Sequence, residues 1–131
     1  SYHVRVEYDG GEPIEDDFIV GLFSNTVSVA GIRTAFADAR LDDGLMEITL
    51  VKVPKTLHDA QAVLNILMNF ETASQVHSDF LRVISAKWAK VTCDEPIAWT
   101  IDGESGGSFC ESMIRNCPRV IDVVAGPERT E

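Results

Sequence analysis

Basic side chains are scarce in this sequence. Its 131 residues carry 11 Lys and Arg against 21 Asp and Glu, which gives a formal net charge of −10. Such a surface repels phosphate backbones and anionic lipid headgroups, so we expect neither nucleic acid binding nor electrostatic docking on a membrane. Long apolar runs are also missing, since none approaches the ~20 residues that are needed to span a bilayer.

Cysteine is rare, and the common catalytic motifs are lacking. Cys93, Cys110 and Cys117 form no C-x-x-C pair, which argues against a disulfide framework or a Cys-rich zinc site and fits a reducing cytosol. The three histidines never fall at a helical i, i+4 spacing that would suggest a zinc site. The sequence has no G-x-x-x-x-G-K-[ST] loop, no G-x-G-x-x-G and no G-x-S-x-G elbow. If the protein handles a nucleotide, the phosphates must be held elsewhere.

What is present fits one globular domain over residues 1–131. The composition is 45% hydrophobic and 24% charged, which is ordinary for a folded domain of this length. The chain opens directly in a strand pattern with no lead-in, so we expect it to be a fragment of a larger protein.

Strand patterns dominate the chain. Tyr2–Tyr8 alternates apolar and polar residues, as a half-buried strand does. Phe18–Asn25 is almost continuously apolar and predicts a central strand antiparallel to the first. The acidic run Glu12–Asp17 between them is interpreted as a solvated hairpin loop rather than a cation site. Residues 26–40 are predicted to form an extended loop that could include a helical turn. Further strands are predicted in LMEITLVKVP, FLRVISAKWAKVTC, IAWTID, SFCESMIR and RVIDVVA.

A helical period appears once, after Thr56. Thr56 and Asp59 have the spacing of a capping box. Apolar residues then recur at steps of three and four and predict a helix that packs this stripe on the core, namely Leu57, Ala60, Val63, Leu64, Leu67 and Met68. The predicted fold class is therefore mainly β, an antiparallel β-sandwich or open barrel with one packed amphipathic helix.

Two acidic turns could carry chemistry. In ARLDDGLM, Asp42 and Asp43 precede Gly44, and such a turn can direct carbonyls and a carboxylate at a hard cation such as Mg²⁺. In WTIDGESGG, Asp102 and Glu104 flank a glycine at the end of a predicted strand, where a carboxylate can act as a general base. On local spacing alone, a plain acidic turn is the simpler interpretation of each.

Taken together and in this order, the motifs resemble the C-terminal domain of the diacylglycerol kinase-like lipid kinases. That family includes bacterial soluble enzymes and the sphingosine kinases. The resemblance runs from about Phe18 to Val124 and rests on FIVGLFSN, AFADARLDDGLMEITLVKVP, one helix, SAKWAKVTC and PIAWTIDGE. It implies a two-domain enzyme, with an N-terminal nucleotide-binding α/β domain, a C-terminal β-sandwich and catalysis in the cleft between them. The N-terminal domain and its Gly-Gly-Asp-Gly-Thr loop are absent here, so we expect this chain alone to be inactive.

The resemblance also implies roles for individual residues. Glu104 matches the family's proposed general base, and Asp102 lies beside it. Asp43 matches a side-chain ligand of a structural Mg²⁺, to which Arg40 and Leu45 contribute main-chain carbonyls. Two departures concern the turns: Ala37 stands where proline is common in the family, and ESGGSF after Glu104 is rich in glycine.

The implied reaction moves the γ-phosphoryl group of ATP to a lipid alcohol, diacylglycerol or a related lipid. ATP would be bound mainly by the N-terminal domain of the same protein, and the lipid would be met at the membrane surface. The expected location is the cytoplasm, with peripheral action at the membrane.

Two other classes of function stay open. One is a non-catalytic β-sandwich that binds a lipid or a protein and retains the kinase-like scaffold. The other is a structural domain whose acidic turns are merely solvated. Whichever function holds, exposed edge strands would allow a homodimer.

Overall fold

The computed structural model describes residues 1–25, 28–29, 32–33, 44–68 and 79–118. Within these ranges it contains one helix and eight strands, which confirms the predicted fold class. The elements are β1 (Tyr2–Tyr8), β2 (Ile14–Ser24), β3 (Ser28–Val29), β4 (Ile32–Arg33), β5 (Met46–Lys52), α1 (Leu57–Met68), β6 (Leu81–Ala86), β7 (Trp88–Ile101) and β8 (Glu104–Arg115).

Six strands form one antiparallel sheet in the order β6-β5-β2-β1-β7-β8. Lys87 alone connects Ala86, the last residue of edge strand β6, to Trp88, the first residue of β7 four places further along the sheet. A flat sheet cannot bring these residues together, so the sheet must be rolled into an open sandwich with a corner at Lys87. Asp9 Oδ1 secures this corner by accepting a hydrogen bond from the Lys87 backbone N–H at 2.8 Å.

The core fills the inside of the rolled sheet. Val6 and Ile48 are completely buried, and Val4 is 7% exposed, so the predicted alternation of β1 is confirmed apart from the exposed Tyr2. Burial of such branched apolar side chains contributes about 1.5–3 kcal/mol each. The buried cluster consists of Val4, Val6, Phe18, Met46, Ile48, Leu50, Ala86, Ala89 and Val91.

Helix α1 packs on the outer face of β5 and β6, where Val63 joins Val51 and Leu81 in a second buried cluster. Its first turn confirms the predicted capping box. The Thr56 N–H donates to Asp59 Oδ2 at 2.9 Å, and the Asp59 N–H donates to Thr56 Oγ1 at 3.1 Å. Two backbone donors of the helix N-terminus are thereby satisfied.

The prediction that the apolar stripe of α1 is buried is wrong for most of the helix. Leu57, Leu64 and Met68 are 92%, 57% and 76% exposed, and Ala60 is exposed too. Val63 alone among the described members of the stripe is buried. The apolar residues occupy more of the helix surface than one packed face, so their periodicity could not determine which edge meets the sheet.

The acidic run Glu12–Asp17 is mostly strand rather than loop, because β2 begins at Ile14 and pairs with β1 from Val6↔Ile14 to Tyr2↔Phe18. The prediction failed because the negative charges have cross-strand partners that local composition does not reveal. Asp16 forms an ion pair with Lys52 of β5, and His3 contacts Asp17 at 2.9 Å. These contacts let carboxylates occupy the middle of a sheet.

Of two further sequence predictions, the structure covers one in part and the other not at all. Within 26–40, β3 and β4 pair through Ser28↔Arg33 and Val29↔Ile32, and the remaining residues of that segment lie outside the described ranges. The predicted strand RVIDVVA also lies outside them.

The helix that the structure describes is too short to cross a membrane.

Candidate functional site

The candidate site is the tip of the hairpin formed by β7 and β8. Ile101 pairs with Glu104, so Asp102 and Gly103 form a two-residue connection. Their φ angles are 49° and 86°, both positive as a type I′ turn requires. Asp-Gly is a preferred pair for that turn, so the interpretation of this stretch as an acidic β-turn is confirmed. The turn accounts for Asp102 and Gly103 without any chemistry.

Glu104 is the first residue of β8, and its side chain is exposed. Facing residues of an antiparallel pair project to the same side of the sheet. Glu104 therefore shares a face with Ile101, which is 61% exposed. The hairpin tip thus presents a carboxylate next to an apolar side chain, and both are open to a ligand.

The glycine-rich stretch after Glu104 has a structural reason. The β7–β8 register shifts between Trp99 and Thr100, and Gly107 has a φ of +88°. A Cβ atom on Gly106 would lie 2.9 Å from Cδ1 of Ile101 and 3.2 Å from Cβ of Trp99. Glycine at 106 therefore lets the irregular part of β8 pass close to these two side chains.

Trp99 attaches the hairpin to the core. Its ring lies 5.6 Å from that of Phe23 on β2, with an interplanar angle of 52°, and both residues pack on the buried cluster. Tilted aromatic pairs of this kind contribute about 0.5–1.5 kcal/mol beyond their buried area. Phe23 was not singled out from the sequence, because a contact between distant strands leaves no local pattern.

Of the residues implied for Mg²⁺, the structure describes Leu45, whereas Arg40 and Asp43 lie outside the described ranges. The Leu45 carbonyl accepts a hydrogen bond from Asn116 Nδ2 at 2.7 Å. One carboxylate and two carbonyls are oxygen donors of the kind that Mg²⁺ prefers, so the residues fit the ion. No group of three or more metal-ligating residues occurs among the described ones.

Leu45 and Glu104 lie near opposite ends of β8. Glu104 is its first residue, and Asn116, which contacts Leu45, directly follows its last. A strand of 12 residues is about 40 Å long when straight. The structure therefore does not bring Leu45 and Glu104 together in one site.

A rolled antiparallel sheet with one packed helix and an acidic hairpin defines this chain as a β-sandwich domain. Residues 1–125 match the model of the YegS C-terminal NAD kinase beta sandwich-like domain. Because that match covers most of the chain, the protein belongs to this family, which confirms the resemblance drawn from its motifs.

The chain is also similar to proteins named diacylglycerol kinase. It is 31% identical over 108 residues to one from Staphylococcus carnosus (strain TM300), covering 81% of this chain and 33% of that protein. It is 27% identical over 128 residues to one from Bacillus subtilis (strain 168), covering 98% and 40%. A solved diacylglycerol kinase structure from Bacillus anthracis str. Sterne shares the fold, with a TM-score of 0.59, 21% identity and coverage of 88% and 40%. The chain thus spans two-fifths or less of the length of these relatives.

Proposed function

We propose that this domain is the C-terminal half of an ATP- and Mg²⁺-dependent lipid kinase, which transfers the γ-phosphoryl group to a hydroxyl of diacylglycerol or a related lipid. The observation that carries the proposal is the exposed Glu104 at the tip of a tightly defined turn. Membership of the family and the names of the relatives support it. An N-terminal domain of the same protein would hold the nucleotide, and the 131-residue chain alone would be inactive.

In this proposal Glu104 is the general base. A lipid alcohol is a weak nucleophile, and the carboxylate removes its proton as the new oxygen–phosphorus bond forms. The bond between the γ-phosphorus and the bridging oxygen breaks at the same time, and ADP leaves. The turn conformation of Asp102 would hold Glu104 in position. The exposed Ile101 would offer an apolar contact for the lipid.

The test is transfer of labelled γ-phosphate from ATP to a panel of lipid alcohols by the full-length protein. Loss of a general base typically costs about 100- to 10,000-fold in rate. The transfer rate of the Glu104→Gln variant should therefore fall by that factor, while the variant remains folded. Glu95→Gln removes another exposed carboxylate of the same hairpin and should keep the native rate. Equal rates in both variants would exclude Glu104 as the base.

Asp43, with the carbonyls of Arg40 and Leu45, would hold the Mg²⁺. The bound ion would supply positive charge that draws the oxygens of the DDGL turn together. Asn116 would keep the Leu45 carbonyl oriented through its hydrogen bond. We expect Mg²⁺ to raise the melting temperature of the native chain and of Asp42→Ala, but not of Asp43→Ala. A similar rise in all three proteins would contradict this site.

Partner binding without catalysis is a second candidate function, favoured by the outer side of α1. Leu57, Leu64 and Met68 expose more than half of their surface there. Several large apolar side chains on one exposed helix side are typical of an interaction surface. If the folded full-length protein transfers phosphate to no lipid, this second function becomes the better interpretation.

A further inference from the structure

Two of the three cysteines lie close together on β7 and β8. Thr92 pairs with Glu111 and Ile97 with Phe109, and the register shifts between these two pairs, where Cys93 and Cys110 lie. The Cys93 sulfur contacts the backbone of Cys110 there. A disulfide spans Cα distances of about 4.4–6.8 Å, a separation that two residues in such contact can reach.

The Cys93 sulfur already lies against β8. Its Sγ is 3.3 Å from the carbonyl oxygen of Cys110 and 3.6 Å from that of Phe109. The Cys110 side chain is exposed, and all three cysteines are free thiols. Because the Cys110 side chain is exposed, it can rotate toward the Cys93 sulfur.

The two thiols have different surroundings. Burial raises the pKa of the Cys93 thiol, and the nearby Cys110 and Asp94 raise it further. Cys93 is therefore less readily ionised at neutral pH than an ordinary thiol, and Cys110, being exposed, is better placed to meet an oxidant first. Cys93 is nevertheless accessible to small molecules, because it lines an open cavity of about 260 Å³. The other residues that line this cavity are Ser1, Tyr2, His3, Asp94 and Glu95.

We propose that Cys93 and Cys110 form a reversible disulfide when the protein meets hydrogen peroxide. The Cys110 thiolate attacks one peroxide oxygen, so that an S–O bond forms, the O–O bond breaks and the departing hydroxide takes up a proton to become water. Cys93 then attacks the oxidised sulfur, the S–S bond forms, the S–O bond breaks and a second water leaves. The two thiols lose two electrons and two protons, and the peroxide is reduced to two waters.

The position of this bond gives it a structural consequence. Cys93 belongs to the part of β7 that pairs with β1 and packs on the core, whereas the strand beyond it leads to the turn at Asp102. The disulfide would join β7 and β8 at the place where their pairing is irregular. A cellular dithiol could reopen it by thiol–disulfide exchange.

The test is a peroxide titration of the purified reduced protein, followed by alkylation of the remaining thiols and mass spectrometry of intact protein and non-reduced peptides. In the Cys117→Ser variant, both remaining thiols should disappear together, with a loss of two hydrogens, and dithiothreitol should restore them. Cys93→Ser and Cys110→Ser should each abolish this product, and Cys117→Ser provides the matched control because Cys117 is also exposed.

Three results would overturn the proposal. The first is a peroxide-induced dimer joined through Cys110. The second is a Cys93 thiol that stays open to alkylation while Cys110 is oxidised to its sulfinic acid. The third is preferential bonding of either cysteine to Cys117 in the native protein, because that product would show that the contact between β7 and β8 does not direct the reaction.

Discussion

The centre of the sheet and the tip of the β7–β8 hairpin are built in different ways. At the centre, Ile48 and Val51 have no exposed surface. At the tip, Ile101 is 61% exposed, and the shape depends instead on the positive φ angles of Gly103 and Gly107. The fold thus depends on buried apolar area, and the candidate site depends on a few backbone positions. It should be possible to damage either one while sparing the other.

The largest expected effect is at the centre. Ile48→Ala leaves a cavity in a fully buried position and should lower the free energy of unfolding by about 2–5 kcal/mol. Ile101→Ala removes the same atoms at the tip and should change it by no more than about 0.5 kcal/mol. Urea denaturation of both variants checks the contrast. Comparable losses would mean that Ile101 is packed more tightly than its exposure indicates.

A smaller effect is expected in the turn itself. Asp102 has a φ of 49°, a conformation that costs most residues about 1–2 kcal/mol but that Asn and Asp tolerate. Asp102→Ala should therefore destabilise the domain by about 1 kcal/mol, whereas Asp102→Asn should leave the unfolding free energy nearly unchanged.

The same pair of variants separates turn geometry from charge in the full-length protein. If Asp102 acts through the turn, Asp102→Asn should retain most of the phosphoryl transfer that Glu104→Gln loses. A stable Asp102→Asn variant that is as inactive as Glu104→Gln would show instead that the charge of Asp102 takes part in the chemistry.

The features that local sequence predicted are those whose determinants lie close together in the chain. The alternation in β1, the Thr56–Asp59 capping box and the Asp102-Gly103 turn each depend on residues within one element, and all three are present. The assignment of Glu104 as a base came from family resemblance alone, because its local spacing is equally that of a plain acidic turn.

What the sequence missed depends on contacts between distant segments. The corner at Lys87 is secured by Asp9, 78 positions away, and the Leu45 carbonyl by Asn116, 71 positions away. Neither contact produces a periodic pattern. The exposed side of α1 was misjudged for the same reason, since the sheet determines which helix face is covered.

The smallest expected effect lies on the outer surface of β1 and β2, away from both core and tip. His3 Nδ1 is hydrogen-bonded to Asp17 Oδ1 at 2.9 Å, and His3 Nε2 lies 3.4 Å from Glu15 Oε1. These two bonds, the Asp17 bond first, raise the pKa of His3 above its ordinary value of 6.5. The pKa of Glu15 is lowered chiefly by its hydrogen bond to Arg5 and only secondarily by His3.

The signs of these two shifts predict a two-sided pH profile. A histidine whose pKa is raised on folding stabilises the fold fully below pH 6.5, and this contribution is lost as the pH rises through the folded-state value. A lowered Glu15 pKa contributes above the ordinary value of 4.5 and is lost as the pH falls through the folded-state value. His3→Gln should therefore flatten the decline in melting temperature above pH 6.5 while keeping most of the acid decline, because Arg5 remains. Because these ion pairs are exposed, high salt should weaken both the acid and the alkaline decline in melting temperature. An alkaline decline that is insensitive to salt and persists in His3→Gln would show that another group causes it.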